Sequence, residues 1–469
     1  MTLLPRPLRG RAALAIGAVA ALTLGAVAVS PAVTAAAATG CAVTYTASTW
    51  EGGFSANISI KNLGDPINGW TLGFTFPDSG QKVVQGWSAT YSQTGAAVTA
   101  RSMNYNGALA TNASATIGFN GSWTAANPAP TSFTLNGVTC TGSTTPGPTP
   151  TVTPTANGTP VGINGQLRVC GVNLCNQYNR PIQLRGMSTH GLQWFAKCYN
   201  TASLDALAND WKADLLRISM YVQEDGYETN PPAFTAQVNN LVDMAEARGM
   251  YALIDFHTLT PGDPMYNLDR AKTFFAAVSS RNAAKKNVIY EITNEPNGVS
   301  WATIKSYAEQ VIPVIRANDP DAVVLVGTRA WSSLGVSEGG NETEVINNPV
   351  NAANIMYTFH FYAASHTDNY RAALTRAATR IPMFVTEFGT VTYTGGGTVD
   401  LASTTTWLNL LDQYKISYAN WTYSEANESS AAFKPGTCSG STYAGTAVLT
   451  QSGTYMRDRI RTPDNFPTG

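Results

Sequence analysis

The sequence predicts two folded modules, an all-β sandwich followed by an eight-stranded α/β barrel, and three observations predict them. Between Cys41 and Cys140, short Val/Ile/Phe/Thr runs alternate with Gly, Asn and Pro breaks and show hardly any helical period. Residues 141–160, TGSTTPGPTPTVTPTANGTP, hold eight Thr and five Pro and no charge. Beyond them, apolar runs recur every roughly 30–35 residues, the size of a strand–helix–strand unit, with helical stretches between. At 469 residues the chain also exceeds the roughly 250–300 residues at which single cores stop growing.

Composition narrows the function classes. Lys+Arg 29 against Asp+Glu 30 gives a net charge of -1, too little to attract a phosphate backbone or an anionic membrane surface, so nucleic acid and membrane partners are excluded. The amino terminus carries Arg6, Arg9 and Arg11 with no acid, then an apolar run from Ala12 to Val29 and small residues through Ala38. That is the pattern of a cleaved secretory leader over residues 1–38, and nothing later reads as transmembrane. A secreted, extracellular chain keeps disulfides, and the six Cys form an even set with no CxxC pair. Cys41 and Cys140 bracket the first module and are expected to pair.

Within module 41–140 the expected strand runs are Phe54–Ile60, Thr71–Phe76, Val83–Ala89, Ala113–Phe119 and Ser132–Val138. Alternation points Trp70 of GWTLGF inward, whereas Trp50 (TWEGGF), Trp87 (GWSAT) and Tyr105 (MNYNG) sit beside Gly and polar residues. Exposed flat rings stack on the C–H faces of sugars without needing charge; composition alone weights a buried, structural role for these rings equally. With NGWTLGFTFP, QGWSATYSQ, ATIGFNGSW and TSFTLNGVTC, the stretch resembles a family 2 carbohydrate-binding module of the cellulose-binding type. The resemblance implies that Trp50, Trp87 and Tyr105 form a coplanar cellulose-binding face. Gly53 matches the cellulose binders rather than the xylan-binding branch, and Tyr105, standing where Trp is more usual, implies retained but weaker binding. The Thr/Pro segment 141–160 is expected to be an extended, polyproline-biased tether.

Module 161–469 places runs near Ile182, Leu215, Ala252, Val288, Val323, Ile355, Phe384 and Tyr418. Helical stretches Phe234–Arg248, Asp269–Ala284, Trp301–Ala317 and Asn369–Arg380 lie between them. Eight strands alternating with helices predict a (β/α)8 barrel, whose functional groups stand at the carboxyl ends of the strands. Those ends supply His190, Arg217, His257, Asn294, Glu295, His360, Tyr362, Glu387 and Trp421. Each alone reads as a cap, a salt-bridge partner or a plug; together on one face they read as a site. No HExxH or comparable spacing is present, and no metal is expected. Glycosidic cleavage needs two carboxylates, and Glu295 and Glu387 are the natural pair. A neighbouring Arg217 would keep Glu387 ionised, and Glu295 would need its pKa raised.

LRGMSTHGLQW, LRISMY, LIDFH, ITNEPNG, HFYAASH, FVTEFGT and NWTYSEANESSA make this module similar to family 5 glycoside hydrolases, close to the bacterial endoglucanases. The resemblance implies Glu295 as acid/base and Glu387 as nucleophile of a retaining hydrolysis. It implies support from Arg217, His257, Asn294, His360 and Tyr362, Asn294 toward the sugar 2-hydroxyl and Tyr362 toward the nucleophile. Substrate binding falls to His190, Trp194, Tyr221, Trp421 and Glu428. Related enzymes often carry Lys two residues before the final Glu of the last motif, where this chain has Ala426. The implied function is an endo-β-1,4-glucanase of cellulose or a related β-1,4-glucan, a monomer needing no cofactor. Mannanase, xyloglucanase, lichenase and a non-catalytic polysaccharide adhesin are the alternatives. Barrel closure brings Cys198 and Cys438 into neighbouring loops, and Cys170 and Cys175 are near enough to share a hairpin.

Overall fold

The computed structural model describes residues 40–50, 52–140 and 158–467. The leader, most of the tether and the side chain of Trp50 lie outside the described residues. Two compact units divide the chain between Thr145 and Pro146.

The first unit is two antiparallel sheets. One has the order Cys41–Trp50, Gly53–Asn62, Ser114–Ser122, Lys82–Trp87; the other, Val138–Thr139, Phe133–Leu135, Thr71–Thr75, Ala97–Ser102, Ala89–Thr94. Period-2 alternation builds the core: Gly53–Asn62 buries Phe54, Ala56, Ile58 and Ile60 and leaves Ser55, Asn57 and Ser59 partly exposed. Phe54, Phe74, Phe76 and Phe119 pack in edge-to-face pairs with centroids 5.4–5.9 Å apart. Trp70 is buried as expected and donates its indole N–H to the Asn106 carbonyl at 2.8 Å. Tyr105 is 74% exposed, and Trp87 lies half-buried across Gly118, where a Cβ would meet its ring at 2.2 Å. Cys41 and Cys140 are bonded. One expectation is corrected: Ser132–Val138 is not a single strand but a hairpin turning at Asn136 and Gly137, both with positive φ, the Asn-Gly signature of a tight turn.

In the second unit eight parallel strands close on themselves: Arg185–Ser188, Leu215–Tyr221, Tyr251–His257, Val288–Glu291, Val323–Val326, Ile355–Tyr362, Met383–Gly389 and Tyr418–Trp421. The first pairs with the last, Ser188 opposite Trp421. The first strand starts at Arg185; Ile182 instead joins the apolar floor below it. Alternate residues face in and out. Leu215, Leu253, Ile289, Leu325, Met356 and Phe384 fill the lower interior, while Leu216, Ile218, Ile254, Tyr290 and Val324 pack outward. The same alternation carries Arg217, Asp255, Glu291 and His257 inward higher up.

Strict alternation would turn Glu387 outward, because Phe384 already faces in. The seventh strand carries a bulge: two residues, Val385 and Thr386, span the interval that Phe359 alone spans on the sixth, and His360 then pairs with Glu387. The extra residue lets Thr386 and Glu387 both enter the interior.

Helices Pro231–Glu246, Leu268–Asn282, Trp301–Arg316 and Asp368–Ala378 fall close to their expected positions. Helices Thr201–Asn209, Leu401–Tyr414 and Gln451–Ile460 add to them. Thr159 caps a short helix Pro160–Asn164, so ordered structure begins inside the segment read as tether. Disulfides join Cys170 to Cys175 and Cys198 to Cys438. The second of these links the loops beyond the first and last strands.

Candidate active site

At the carboxyl end of the barrel the interior turns from apolar to ionic. Arg217, fully buried, is the hub: Nε donates to Glu291 Oε2 at 2.7 Å, Nη2 reaches Asp255 Oδ2 at 2.9 Å, and Nη1 donates to Glu387 Oε2 at 3.0 Å. Nη2 also donates to Asn294 Oδ1 at 2.7 Å. A guanidinium presents a rigid fan of donors that satisfies several acceptors at once. Burial alone would lower its pKa, but Asp255, Glu291 and Glu387 raise it, so it stays a cation.

Glu295 and Glu387 sit over this hub in different surroundings. Burial pushes Glu387 up, yet the charges of His360 and Arg217 and the Tyr362 hydroxyl, which donates to Oε1 at 2.8 Å, outweigh it and hold the carboxyl below its ordinary range. Burial also pushes Glu295 up; His360 Nδ1, 2.8 Å from its Oε1, works against this, but the neighbouring Glu387 adds to it and the pKa stays raised. One oxygen of each carboxylate and a ring nitrogen of His360 all lie within 4.8 Å of one another. Burial works against charge on His360, but hydrogen bonds to Glu291 and Glu295 and the charge of Glu387 lift it to about 9. His257 goes the other way, lowered by burial and by Arg217. Its Nδ1 donates to Asp255 Oδ2 at 2.6 Å, leaving Nε2 to accept from Asn294 at 3.3 Å.

Above the pair opens a cavity of about 600 Å³. Tyr221 stacks on His257 with centroids 4.1 Å apart, and Trp421 lies over the same imidazole at 5.6 Å. Trp194 meets Tyr221 edge-on at 5.0 Å and keeps 42% of its surface exposed. Glu428 accepts from Trp421 Nε1 at 3.2 Å and Ser430 Oγ at 2.8 Å, with His190 Nε2 at 3.1 Å. All twelve residues that the sequence singled out in the barrel therefore gather around one cleft. Asn294 differs from expectation in one respect: it is fully buried and its amide is engaged by Arg217, His257 and the Thr258 carbonyl.

Sequence reading missed Asp255, Glu291 and Thr386. Asp255 stands two residues before His257 on the third strand and Glu291 two after the inward Ile289 on the fourth, so the even spacing of strand faces was the signal for both. Thr386, whose hydroxyl lies 2.8 Å from His360 Nε2, faces inward beside Glu387 because of the bulge. Trp331, Tyr370 and Tyr393, which line the same cavity, were not anticipated either.

Comparison with known proteins agrees with this architecture. The family model described as Cellulase (glycosyl hydrolase family 5) matches residues 175–427, and that of a Cellulose binding domain matches residues 41–140. The chain is 69% identical over 436 residues to Endoglucanase CelA of Streptomyces lividans, covering 92% of this chain and 95% of that one. It is 49% identical over 467 residues to Endoglucanase E-5 of Thermobifida fusca, covering 97% and 99%. The crystal structure of the catalytic domain of Thermobifida fusca endoglucanase Cel5A (E5) superimposes with a TM-score of 0.65 at 58% identity, over 65% of this chain and all of that one. A variant of that domain has been solved in complex with cellotetraose, with the same TM-score, identity and coverage. With its barrel, its two opposed carboxylates and its companion sandwich, the chain belongs to the cellulases of glycosyl hydrolase family 5 and carries an N-terminal cellulose-binding domain.

Proposed function

We propose that the chain is a secreted, monomeric endo-β-1,4-glucanase that cleaves cellulose with retention of configuration. Glu387 attacks the anomeric carbon while Glu295 protonates the departing oxygen; Glu295 then takes a proton from the water that frees the glycosyl-enzyme. The observation that carries this reading is the pair itself: oxygens within 4.8 Å, one carboxyl held low and the other raised. Retaining enzymes set their carboxyl groups about 5–5.5 Å apart, and inverting enzymes leave room for a water at about 6.5–9.5 Å.

Around the pair, Arg217 and Tyr362 keep Glu387 ionised and aimed, and His360 orients Glu295. Asn294, its amide taken up by Arg217, His257 and the Thr258 carbonyl, fixes that network. Trp421, Tyr221 and Trp194 supply stacking faces, while His190 and Glu428 bind hydroxyls. Trp50, Trp87 and Tyr105 hold the chain on insoluble cellulose, which raises the effective concentration of the polymer for the barrel.

The test is reducing-sugar release from carboxymethyl cellulose, mannan and xyloglucan by the native chain and by Glu387→Gln. Release from the cellulose derivative that falls by about 10⁴-fold or more in the variant, the scale for loss of a nucleophile, is the expected result. Activity confined to mannan or xyloglucan would reassign the substrate; inactivity on all three would favour the adhesin.

A further inference from the structure

Glu295 and Glu387 are held by different means. Glu387 lies within the seventh strand, which pairs with the strands on both sides, so the sheet fixes its backbone. Glu295 stands four residues past the end of the fourth strand, in the irregular stretch before the helix that begins at Trp301. Strand pairing does not reach it. A group that must come within hydrogen-bond reach of a leaving oxygen still needs a fixed backbone.

The turn that follows the fifth strand supplies one. The Asn294 carbonyl accepts from Ser332 Oγ at 2.6 Å and the Pro296 carbonyl from the Trp331 N–H at 3.1 Å, so the chain is tied on both sides of Glu295. The Glu295 carbonyl itself accepts from Asn297 Nδ2 at 3.0 Å. Ser332 is fully buried, and its hydroxyl accepts from Thr358 Oγ1 at 3.0 Å, which leaves its own hydrogen for Asn294. Thr358 lies on the sixth strand two residues before His360, whose Nδ1 is 2.8 Å from Glu295 Oε1. One strand therefore acts on Glu295 twice, at the carboxyl through His360 and at the backbone through Ser332.

The turn takes a costly conformation to do this. Ala330, Trp331 and Ser332 have φ of 61°, 57° and 54°, a left-handed run that L-residues avoid because Cβ crowds the following carbonyl. Such strain persists only where the surroundings impose it. Here Arg329 pairs with Glu338 at 2.6 Å and with Glu344 at 3.0 Å, and Glu338 accepts the Gly298 N–H at 3.1 Å. Gly327 brings the two segments so close that a Cβ on it would meet the Thr293 carbonyl oxygen at 2.5 Å. The left-handed run aims the Trp331 N–H and the Ser332 hydroxyl at one stretch of chain, the one that carries Glu295.

We propose that Ser332, oriented by Thr358, is a positioning residue for Glu295, and that the turn 330–332 sets where this carboxyl stands relative to the glycosidic oxygen. This rests on the hydrolase reading above, in which Glu295 protonates the departing oxygen and later takes a proton from water.

The experiment measures kcat/KM of the full chain on cellopentaose, whose leaving oxygen must be protonated, and on 2,4-dinitrophenyl β-cellobioside, whose phenolate departs without a proton. In the control, Glu295→Ala, cleavage of cellopentaose is expected to collapse while kcat/KM on the dinitrophenyl glycoside stays near native, and azide, which attacks without a base, to restore turnover. Ser332→Ala is expected to show the same signature in weaker form: a roughly 10- to 100-fold loss on cellopentaose, little loss on the dinitrophenyl glycoside, and a kcat on the latter that rises with azide. Thr358→Val, which keeps the shape and removes the hydroxyl that orients Ser332, is expected to show a smaller loss of the same kind, and Thr358→Ser to recover it. That pair keeps the inference testable if Ser332→Ala does not fold. Equal losses on both substrates, as a merely structural role would give, or no loss on either, would overturn the inference and leave the glucanase standing. A Glu295→Ala control that lost both substrates alike would overturn the acid assignment and this inference with it.

Discussion

The sandwich and the barrel are both assigned to one polymer, yet they handle charge in opposite ways. The sandwich holds six charged residues in a hundred and a core of aromatic rings packed edge-to-face, and its proposed binding groups are rings left on the surface. The barrel buries Arg217, Asp255, Glu291, Glu387 and His360 in one connected network at the heart of the site. Burying ions costs several kcal/mol each unless every partner is in place. Binding a flat surface needs only area and shape, whereas cleaving a bond needs two groups of the same chemical kind to differ in protonation. The ionic network is what makes Glu295 and Glu387 different.

The comparison breaks most sharply at Arg217. Arg217→Met strands three buried carboxylates, and loss of one partner from such a network destabilises by about 3–5 kcal/mol. Calorimetry of the full chain should show the barrel transition falling while the sandwich transition stays in place, together with loss of hydrolysis. Equal shifts of both transitions would show that the modules are not energetically separate.

A smaller effect separates the two carboxylates. Activity needs Glu387 ionised and Glu295 protonated, so the pH profile should be bell-shaped, its acid limb set by Glu387 and its alkaline limb by Glu295. Tyr362→Phe removes a hydroxyl that lowers Glu387, so the acid limb should move to higher pH with the alkaline limb fixed. A hydrogen bond to a charged group contributes about 1.5–3 kcal/mol, giving a loss of roughly 10- to 100-fold in kcat/KM. The linkage has a definite sign: with its folded pKa depressed, Glu387 adds stability above the ordinary carboxylate range and loses it as pH falls through the folded value. Tyr362→Phe should therefore soften the barrel against acid less than the native chain does, because part of that contribution is already gone. An unmoved acid limb would detach Tyr362 from the nucleophile.

Much of this was legible in the sequence because it depends on period and on strand ends. The eight barrel runs, the inward Trp70 and the three disulfide pairs follow from alternation, spacing and closure, all of which are local or topological. What was not legible depends on neighbours far apart in sequence. Asp255 and Glu291 read as ordinary acids within apolar strands until Arg217 is seen between them. Glu387 has the wrong parity to face inward, and only the bulge that pairs it with His360 restores it; no single-strand pattern carries that information. In the sandwich the hairpin at Asn136-Gly137 was missed for the converse reason, a strong local turn signal overridden by the apolar residues on either side.

The smallest expected effect tests the other side of the comparison. Tyr105 is held by no buried ion and stands 74% exposed, so Tyr105→Ala should cost no measurable stability. If it is one of the three rings laid on cellulose, its stacking contributes about 1 kcal/mol, a roughly fivefold loss of retention on insoluble cellulose. Hydrolysis of a soluble glucan should not change, because the barrel does not depend on the module when substrate diffuses freely. Tyr105→Trp should strengthen retention by a smaller factor, in proportion to the added ring area. Retention should also be nearly independent of salt, since rings and not charges are proposed to meet the polymer and the module holds six charged residues in a hundred. Salt-sensitive retention would mean that charge, not ring area, holds the module to the polymer, and the contrast with the barrel would disappear.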